Sequence, residues 1–144
     1  MPEFETRIRV RYAETDQMGV AYHANYLVWM EVARVEYCRN IGFDYRVMEQ
    51  DGILIAVIEA HCRYLSPARF DDEIVIEIRV AESTPRLLRF RYDLRCLVDD
   101  RRIARGETMH LYLNKANFRP VRLPEKYQSG FSVTSTGTPP QSAP

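Results

Sequence analysis

Apolar and polar residues alternate along most of the chain in a pattern that predicts five β-strands and one long helix. The first strand covers residues 4–12, where every second side chain belongs to one face. Four more strands follow the helix, over about residues 54–64, 74–80, 88–98 and 103–113. The short connections at Thr84-Pro85 and Asp99-Asp100 predict that these strands pair as antiparallel hairpins.

Between the first strand and the other four, the apolar period changes to that of a helix. Apolar side chains recur three and four residues apart from Asn25, which is available as the N-cap, to Gly42, which ends the helix after about four turns. Further apolar residues extend most of the way round it and predict burial on several sides. We therefore expect an α+β fold in which a curved antiparallel five-stranded sheet wraps a long central helix.

The length of 144 residues predicts a single domain with a substantial core. Periodicity fades after about residue 117, and the last segment is rich in Ser, Thr, Gly and Pro with almost no charge. We expect a folded domain over residues 1–127 and a disordered tail over residues 128–144.

The charge composition argues against partners that are attracted by a net charge. The chain has 20 basic and 20 acidic side chains, so nucleic acid and anionic membranes are not expected to bind it. The arginine stripe formed by Arg89, Arg91 and Arg95 also contains Asp93, which argues further against a nucleic-acid interface.

Cysteine spacing and hydropathy restrict the class of protein. The three cysteines are far apart and show no zinc-site spacing, which predicts reduced thiols and neither metal nor cofactor. No apolar stretch approaches the roughly 20 residues of a membrane span, and no leader pattern opens the sequence. We expect a soluble cytoplasmic protein.

Candidate chemistry concentrates between the first strand and the helix. Asp16 precedes the N-terminus of a buried helix, whose free amides favour a developing negative charge. Asp16 could simply cap a turn, as loop carboxylates commonly do. A carboxylate beside amide donors also suits attack on a carbonyl, because the carboxylate attacks or activates water while an amide stabilises the oxyanion. We expect Glu14 to face solvent.

The segment Tyr12-Ala-Glu-Thr-Asp-Gln-Met-Gly-Val-Ala-Tyr-His-Ala-Asn-Tyr26, followed by a helix, resembles the hot-dog-fold acyl-CoA thioesterases of the 4-hydroxybenzoyl-CoA thioesterase family, in particular their acyl-CoA hydrolase branch. Residues 64–72 match the turn between that family's second and third strands more loosely. The resemblance implies a hot-dog fold with Asp16 as the catalytic carboxylate. It also implies a backbone amide from the Tyr22-His23 loop directed at the thioester carbonyl, and a positioning role for His23. Asn25 is interpreted either as the N-cap or as a substrate-facing amide.

Coenzyme A carries phosphates, which a protein of zero net charge must bind with a local basic patch. The candidates are Arg69, Arg86 and Arg89, each of which could instead be a solvated arginine at the end of a strand. The resemblance favours Arg86, since the turn between the third and fourth strands contacts nucleotide phosphates in that family.

The apolar helix and a last strand that is apolar on both faces predict a homo-oligomer, either a dimer or a tetramer. The resemblance adds that hot-dog subunits pair edge to edge, with active sites between subunits.

Two functions compete with thioester hydrolysis. A hot-dog hydratase is disfavoured because its Asp and His lie in a different loop. A non-catalytic acyl-CoA-binding or sensing protein is the stronger alternative, although a pure binder gains nothing from an unpaired carboxylate against a thioester. The identity of the acyl group, and the choice between coenzyme A and acyl-carrier protein, stay open.

Overall fold

The computed structural model describes residues 4–131, in which one helix packs across an antiparallel sheet. The elements are β1 (Glu5–Arg9), α1 (Asn25–Asn40), α2 (Tyr45–Gln50), β2 (Ile53–Tyr64), β3 (Glu73–Ser83), β4 (Leu87–Cys96), β5 (Arg102–Asn114) and α3 (Glu125–Gln128). Single 3-10 turns occur at Tyr12–Glu14 and Ser129–Phe131. The strand order is β1-β3-β4-β5-β2, and every neighbouring pair is antiparallel. The predicted five-stranded antiparallel sheet is confirmed.

The inner face of the sheet forms the core together with α1. Alternate residues of β4 are buried, as the period-two pattern predicts for a sheet with one covered face. Gly106 of β5 lies against the Met30 side chain of α1. A Cβ added at Gly106 would overlap the Met30 side chain and lie 2.9 Å from the carbonyl oxygen of His61. The lack of a side chain at Gly106 therefore sets how closely α1 can pack.

Helix α1 is covered by the sheet on one face only. Leu27, Val28 and Val32 remain 40%, 47% and 37% exposed, whereas Met30 and Ala33 are fully buried. The expectation that the sheet wraps the helix on several sides is therefore not met within one chain. Five strands cover the inner face of the helix, and an apolar stripe is left on its outer side.

The edge strand β2 contains a bulge that changes which residues face the core. Its register with β5 shifts between Val57 and Glu59, so one extra residue is inserted. Val57 pairs with the buried His110 and lies on the inner face. Strict alternation over residues 54–64 would place Ala56 and Ala60 on one face, but the bulge puts them on opposite faces.

The last described residues pack into the core. Phe131 is fully buried, and its ring centroid lies 4.8 Å from that of Phe43 and 6.3 Å from that of Phe90. For residues 128–131 the structure therefore differs from the predicted tail, because burial of Phe131 holds this segment against the domain. Residues 132–144 lie outside the described range. No helix among residues 4–131 is long and apolar enough to cross a membrane.

A chain of polar groups is buried between α1 and the sheet. Arg34 donates to the hydroxyl of Tyr92 at 3.1 Å, Tyr92 lies 2.6 Å from the Thr108 hydroxyl, and Thr108 lies 2.8 Å from Nε2 of His110. Because arginine can only donate, we assign the protons so that Tyr92 donates to Thr108 and Thr108 donates to His110. His110 then carries its proton on Nδ1, which, like the Tyr112 hydroxyl, has no partner within the described residues.

His110 is predicted to make the stability of the protein depend on pH. Burial and the neighbouring Arg34 charge lower the pKa of His110 from 6.5 to about 3. The unfolded chain thus binds a proton below pH 6.5 that the folded chain excludes, so stability is lost as the pH falls. We expect this group to reduce the free energy of unfolding by about 1.6 kcal/mol between pH 6.5 and 5.

The measurement is chemical denaturation across this pH range, where carboxylates of ordinary pKa titrate little. The His110→Gln variant should show a flatter pH profile than the native chain. Equal slopes for the two proteins would contradict a buried neutral His110.

Candidate active site

The loop after β1 holds Asp16 in a tight turn. The amide of Asp16 donates to the carbonyl of Val20 at 2.9 Å, and the amide of Gly19 donates to the carbonyl of Asp16 at 2.9 Å. The carboxylate Oδ1 accepts from the amide of Met18 at 2.8 Å. Gly19 has a φ of 82°, a conformation that favours glycine. The turn uses one oxygen of Asp16, and Oδ2 accepts no hydrogen bond from residues 4–131.

Glu14 anchors this loop to the helix, and the expectation that it faces solvent is wrong. It is 6% exposed. Its carboxylate accepts from the Arg11 amide at 2.9 Å, from the Arg11 guanidinium at 3.2 Å and from the Trp29 indole at 3.2 Å. Its backbone carbonyl accepts from the Tyr22 amide at 2.8 Å and from the Asn25 side chain at 2.9 Å. One residue therefore connects the end of β1, the loop and the start of α1.

The hydrogen bonds to Glu14 also decide its ionisation. Burial alone would raise the pKa of Glu14, but the hydrogen bonds from the Arg11 amide, the Trp29 indole and the Arg11 guanidinium together lower that pKa. Glu14 therefore stays ionised as an acceptor of hydrogen bonds. An ionised carboxylate that is already occupied by three donors suits a structural role.

The entrance of α1 presents two free backbone amides. The N-cap is Ala24, which provides no side-chain cap, and Asn25 is the first helical residue. The predicted N-cap role of Asn25 is therefore wrong, because its side chain binds the carbonyl of Glu14 instead. Within the described part of the chain, the amides of His23 and Ala24 donate to no acceptor, whereas the Tyr22 amide is occupied.

A cleft of about 340 Å³ lies beside this entrance. Both Asp16 and His23 line it, together with Tyr26, Tyr64 and the turn 65–67. The His23 ring lies 4.5 Å from the Tyr22 ring and 6.2 Å from the Tyr64 ring. The structure thus brings Asp16 and His23 to one cavity, while Tyr22 and Asn25 lie beside it.

Two tyrosines of the cleft were not identified from the sequence as site residues. The Tyr64 hydroxyl donates to the carbonyl of His23 at 3.0 Å, and the Tyr26 hydroxyl accepts from the amide of Ala68 at 3.3 Å. Partial burial, with the nearby Cys62 and Tyr26, raises the pKa of Tyr64 to about 12, so this hydroxyl is a neutral donor at neutral pH. Tyr64 is the first residue of segment 64–72, which resembles the family's turn between strands. That resemblance was the sequence signal that could have identified Tyr64 as a site residue.

The arginines predicted to bind phosphate do not line the cleft. Of the three arginines, Arg69 is nearest in sequence to the cleft residues 65–67. The carbonyl of its neighbour Ala68 accepts from the amide of Ala21 at 2.8 Å. The Arg69 amide donates to Asp72, and its side chain is exposed. Arg69 therefore lies at the same end of the sheet as Asp16.

Arg86 and Arg89 lie at the opposite end of the sheet. Arg86 is in the turn that follows β3, whereas the Asp16 loop lies beside the start of β3, about 33 Å away along an extended strand of this length. Arg89 is ion-paired with Glu82 at 3.1 Å and with Glu107 at 3.5 Å. Arg86 can thus act at an Asp16 cleft only if it belongs to another subunit.

Comparison with known proteins identifies relatives of this chain. The model of the thioesterase-like superfamily matches residues 10–131. The acyl-CoA thioesterase YbgC of Haemophilus influenzae is 27% identical over 129 residues, which cover 89% of this chain and 93% of that protein. The chloroplastic acyl-acyl carrier protein thioesterase ATL3 of Arabidopsis thaliana is 29% identical over 132 residues, covering 91% of this chain and 69% of that protein.

A solved structure agrees with the fold. The DHNA-CoA thioesterase of Staphylococcus aureus superposes with a TM-score of 0.85 at 29% sequence identity, covering 88% of this chain and 87% of the other.

Replacement of Glu14 is predicted to release the loop from the helix. In Glu14→Ala the buried Trp29 indole and the partly buried Arg11 amide lose their acceptor, so we expect the free energy of unfolding to fall by about 1–3 kcal/mol. Trp29 is the only tryptophan in the chain, and its fluorescence spectrum should shift in this variant. Glu14→Gln keeps an acceptor oxygen and should change both properties less.

Glu49→Ala, which removes an exposed carboxylate from α2, serves as the control. Thermal unfolding and tryptophan emission are measured for all variants. If Glu14→Ala unfolds and fluoresces like Glu49→Ala, Glu14 does not anchor the loop.

Proposed function

The chain belongs to the thioesterase-like superfamily and is an acyl-CoA thioesterase, and we propose that Asp16 is the carboxylate that drives hydrolysis of the thioester. The observation that carries this proposal is the convergence of three features on one cleft. These are an Asp16 oxygen without a donor, two free amides at the start of a helix, and a cavity lined by Asp16 and His23.

The free amides are proposed to hold the thioester carbonyl. A carbonyl oxygen directed at the amides of His23 or Ala24 would gain hydrogen bonds that strengthen as negative charge develops on it. The N-terminal end of α1 adds a favourable dipole at the same place. Removal of one such donor costs about 3–4 kcal/mol of transition-state stabilisation in measured enzymes.

Asp16 then supplies the chemistry by one of two routes. As a general base it takes a proton from water while the water oxygen bonds to the carbonyl carbon. The carbon–sulfur bond then breaks, and the leaving sulfur takes that proton from Asp16 to depart as a thiol. As a nucleophile it bonds to that carbon first and expels the thiolate, and water hydrolyses the resulting anhydride. Both routes yield a free acid and a thiol.

His23 is proposed to position rather than to react. Its ring is held between Tyr22 and Tyr64, and its carbonyl accepts from the Tyr64 hydroxyl. These contacts orient the peptide that follows His23, whose amide is one of the proposed donors. Tyr22 supports this arrangement through its ring, and Asn25 supports it through its bond to Glu14.

The substrate is proposed to be an acyl-CoA. The relatives named above include one acyl-CoA thioesterase and one acyl-acyl carrier protein thioesterase, so a carrier-protein thioester is the second candidate. The two substrates share the thioester and the phosphopantetheine arm, and they differ in whether nucleotide phosphates are present.

A second copy of the chain is proposed to complete the site. The apolar stripe of α1 formed by Leu27, Val28 and Val32 is exposed, and so are Val57 and Ile58 on the long edge strand β2. An exposed apolar edge of this length is suited to pairing with another strand. Such a dimer would also allow a distant arginine of one subunit to approach the cleft of the other.

Asp16→Asn is predicted to abolish hydrolysis of acyl-CoA while substrate binding is retained. Asparagine keeps the shape of the turn and can still accept from the Met18 amide, but it can neither attack the carbonyl nor accept a proton from water. We expect kcat to fall by about 10² or more. Free-thiol release measures turnover, and equilibrium dialysis of acyl-CoA measures binding.

Glu125→Gln removes an exposed carboxylate on α3 and should leave turnover unchanged. Near-native kcat in a folded Asp16→Asn variant would refute the assignment. Binding without turnover by the native chain on every thioester tested would instead favour the acyl-CoA-binding alternative.

Arg86→Ala is predicted to raise KM for acyl-CoA with little change in kcat, because a remote phosphate contact contributes equally to substrate and transition state. The effect should shrink for an acyl-pantetheine substrate, which lacks the nucleotide. Arg69→Ala, at the Asp16 end of the same sheet, is the matched comparison.

Steady-state kinetics measure KM and kcat of each variant, and the mass of the native protein in solution gives its oligomeric state. Because Arg86 is distant from Asp16 within one chain, a monomeric mass at micromolar concentration would contradict its role. An unchanged KM in Arg86→Ala would exclude it directly.

A further inference from the structure

The outer face of the sheet, opposite α1, contains a second and larger concavity of about 930 Å³. It extends across β2, β3, β4 and β5, and its lining includes six arginines but only two carboxylates. The chain as a whole has equal numbers of acidic and basic residues. The basic charge is therefore concentrated locally on this face.

The strand register places arginines of this concavity directly opposite one another. Arg79 of β3 pairs with Arg91 of β4, and Arg63 of β2 pairs with Arg105 of β5. Like charges directly opposite in a sheet destabilise it. Two such pairs in one cavity are an arrangement that a bound anion would stabilise.

Three of the six arginines are ion-paired by the protein itself: Arg89 with Glu82 and Glu107, Arg91 with Glu107 at 3.1 Å, and Arg102 with Asp93. Within residues 4–131, Arg63, Arg79 and Arg105 form no ion pair with a carboxylate. The cavity thus contains both ion-paired arginines and three guanidinium groups without a carboxylate partner.

We propose that this concavity binds a small anion that carries two or more phosphate groups. A guanidinium presents parallel donors that match phosphate oxygens, and each arginine pair can take one phosphate. The Arg63–Arg105 pair is offset from the Arg79–Arg91 pair by two residues along the strands and by two strand spacings across the sheet, so the centres of the two pairs lie about 12 Å apart. Long side chains reach across this distance to one ligand.

A second copy of the chain and a nucleic acid fit this surface less well. A symmetric dimer contact would place the basic face against itself. A single-stranded nucleic acid needs several exposed aromatic rings for stacking, whereas the lining offers only the His61 imidazole, since the Tyr92 ring is buried. The phosphates could belong to a free ligand or to the nucleotide end of a substrate, and the chemistry of recognition is the same for both.

The test is calorimetric titration of the full chain with inorganic triphosphate, which requires no turnover and so does not depend on Asp16. The Arg63→Gln/Arg105→Gln double variant should bind triphosphate at least about tenfold more weakly. The control, Arg119→Gln/Arg122→Gln, removes two exposed arginines elsewhere and should bind within about twofold of the native chain.

Acyl-CoA turnover in the presence of triphosphate distinguishes the two sources of phosphate. Competition with acyl-CoA, together with a raised KM in the Arg63→Gln/Arg105→Gln variant, would identify the site with the substrate's nucleotide. Binding without competition would identify a separate ligand. Absence of triphosphate binding, equal binding by both double variants, or loss of the native assembly in the Arg63→Gln/Arg105→Gln variant would overturn the proposal.

Discussion

The buried carboxylate of Glu14 is the interaction on which the cleft depends. Two of its donors belong to Arg11, just after β1, and the third is the Trp29 indole of α1. Its backbone carbonyl accepts from the Tyr22 amide of the loop and from the Asn25 side chain at the helix entrance. A buried carboxylate is stable only if its oxygens are hydrogen-bonded. Burial of Glu14 therefore requires the hydrogen bond from Trp29. The separation between the Asp16 loop and the free amides of α1 follows from this contact. The chemistry proposed for Asp16 thus relies on a neighbouring carboxylate that is proposed not to react itself.

The packing of α1 determines what the two faces of the sheet can do. Because Gly106 lets Met30 approach the strands, the inner face is filled by side chains and the cleft is confined to the helix entrance. The outer face has no such cover and keeps an open, basic concavity. The exposed apolar side chains on α1 and the edge strand β2 form the surface that a second copy is proposed to cover. One hot-dog fold thereby separates the proposed acyl site, a basic surface and the proposed assembly edge.

The sequence predicted the features that arise from regular patterns. Alternation identified all five strands, the three-to-four spacing identified α1, and the segment around Asp16 led to the thioesterase family. The errors share a different cause, since each depends on contacts between distant residues. Burial of Glu14 requires Trp29, fifteen residues away, and the bulge in β2 is visible only in its register with β5. Burial of Phe131 requires Phe43, and the remoteness of Arg86 from Asp16 follows from strand direction.

The most direct measurement is a crystal structure of the Asp16→Asn variant with a bound acyl-CoA, because this variant should retain the substrate. The account predicts that the thioester lies in the cleft with its carbonyl oxygen within about 3.2 Å of the His23 or Ala24 amide. The carbonyl carbon should face the side chain at position 16. A thioester bound away from this helix entrance, with the cleft empty, would contradict the account.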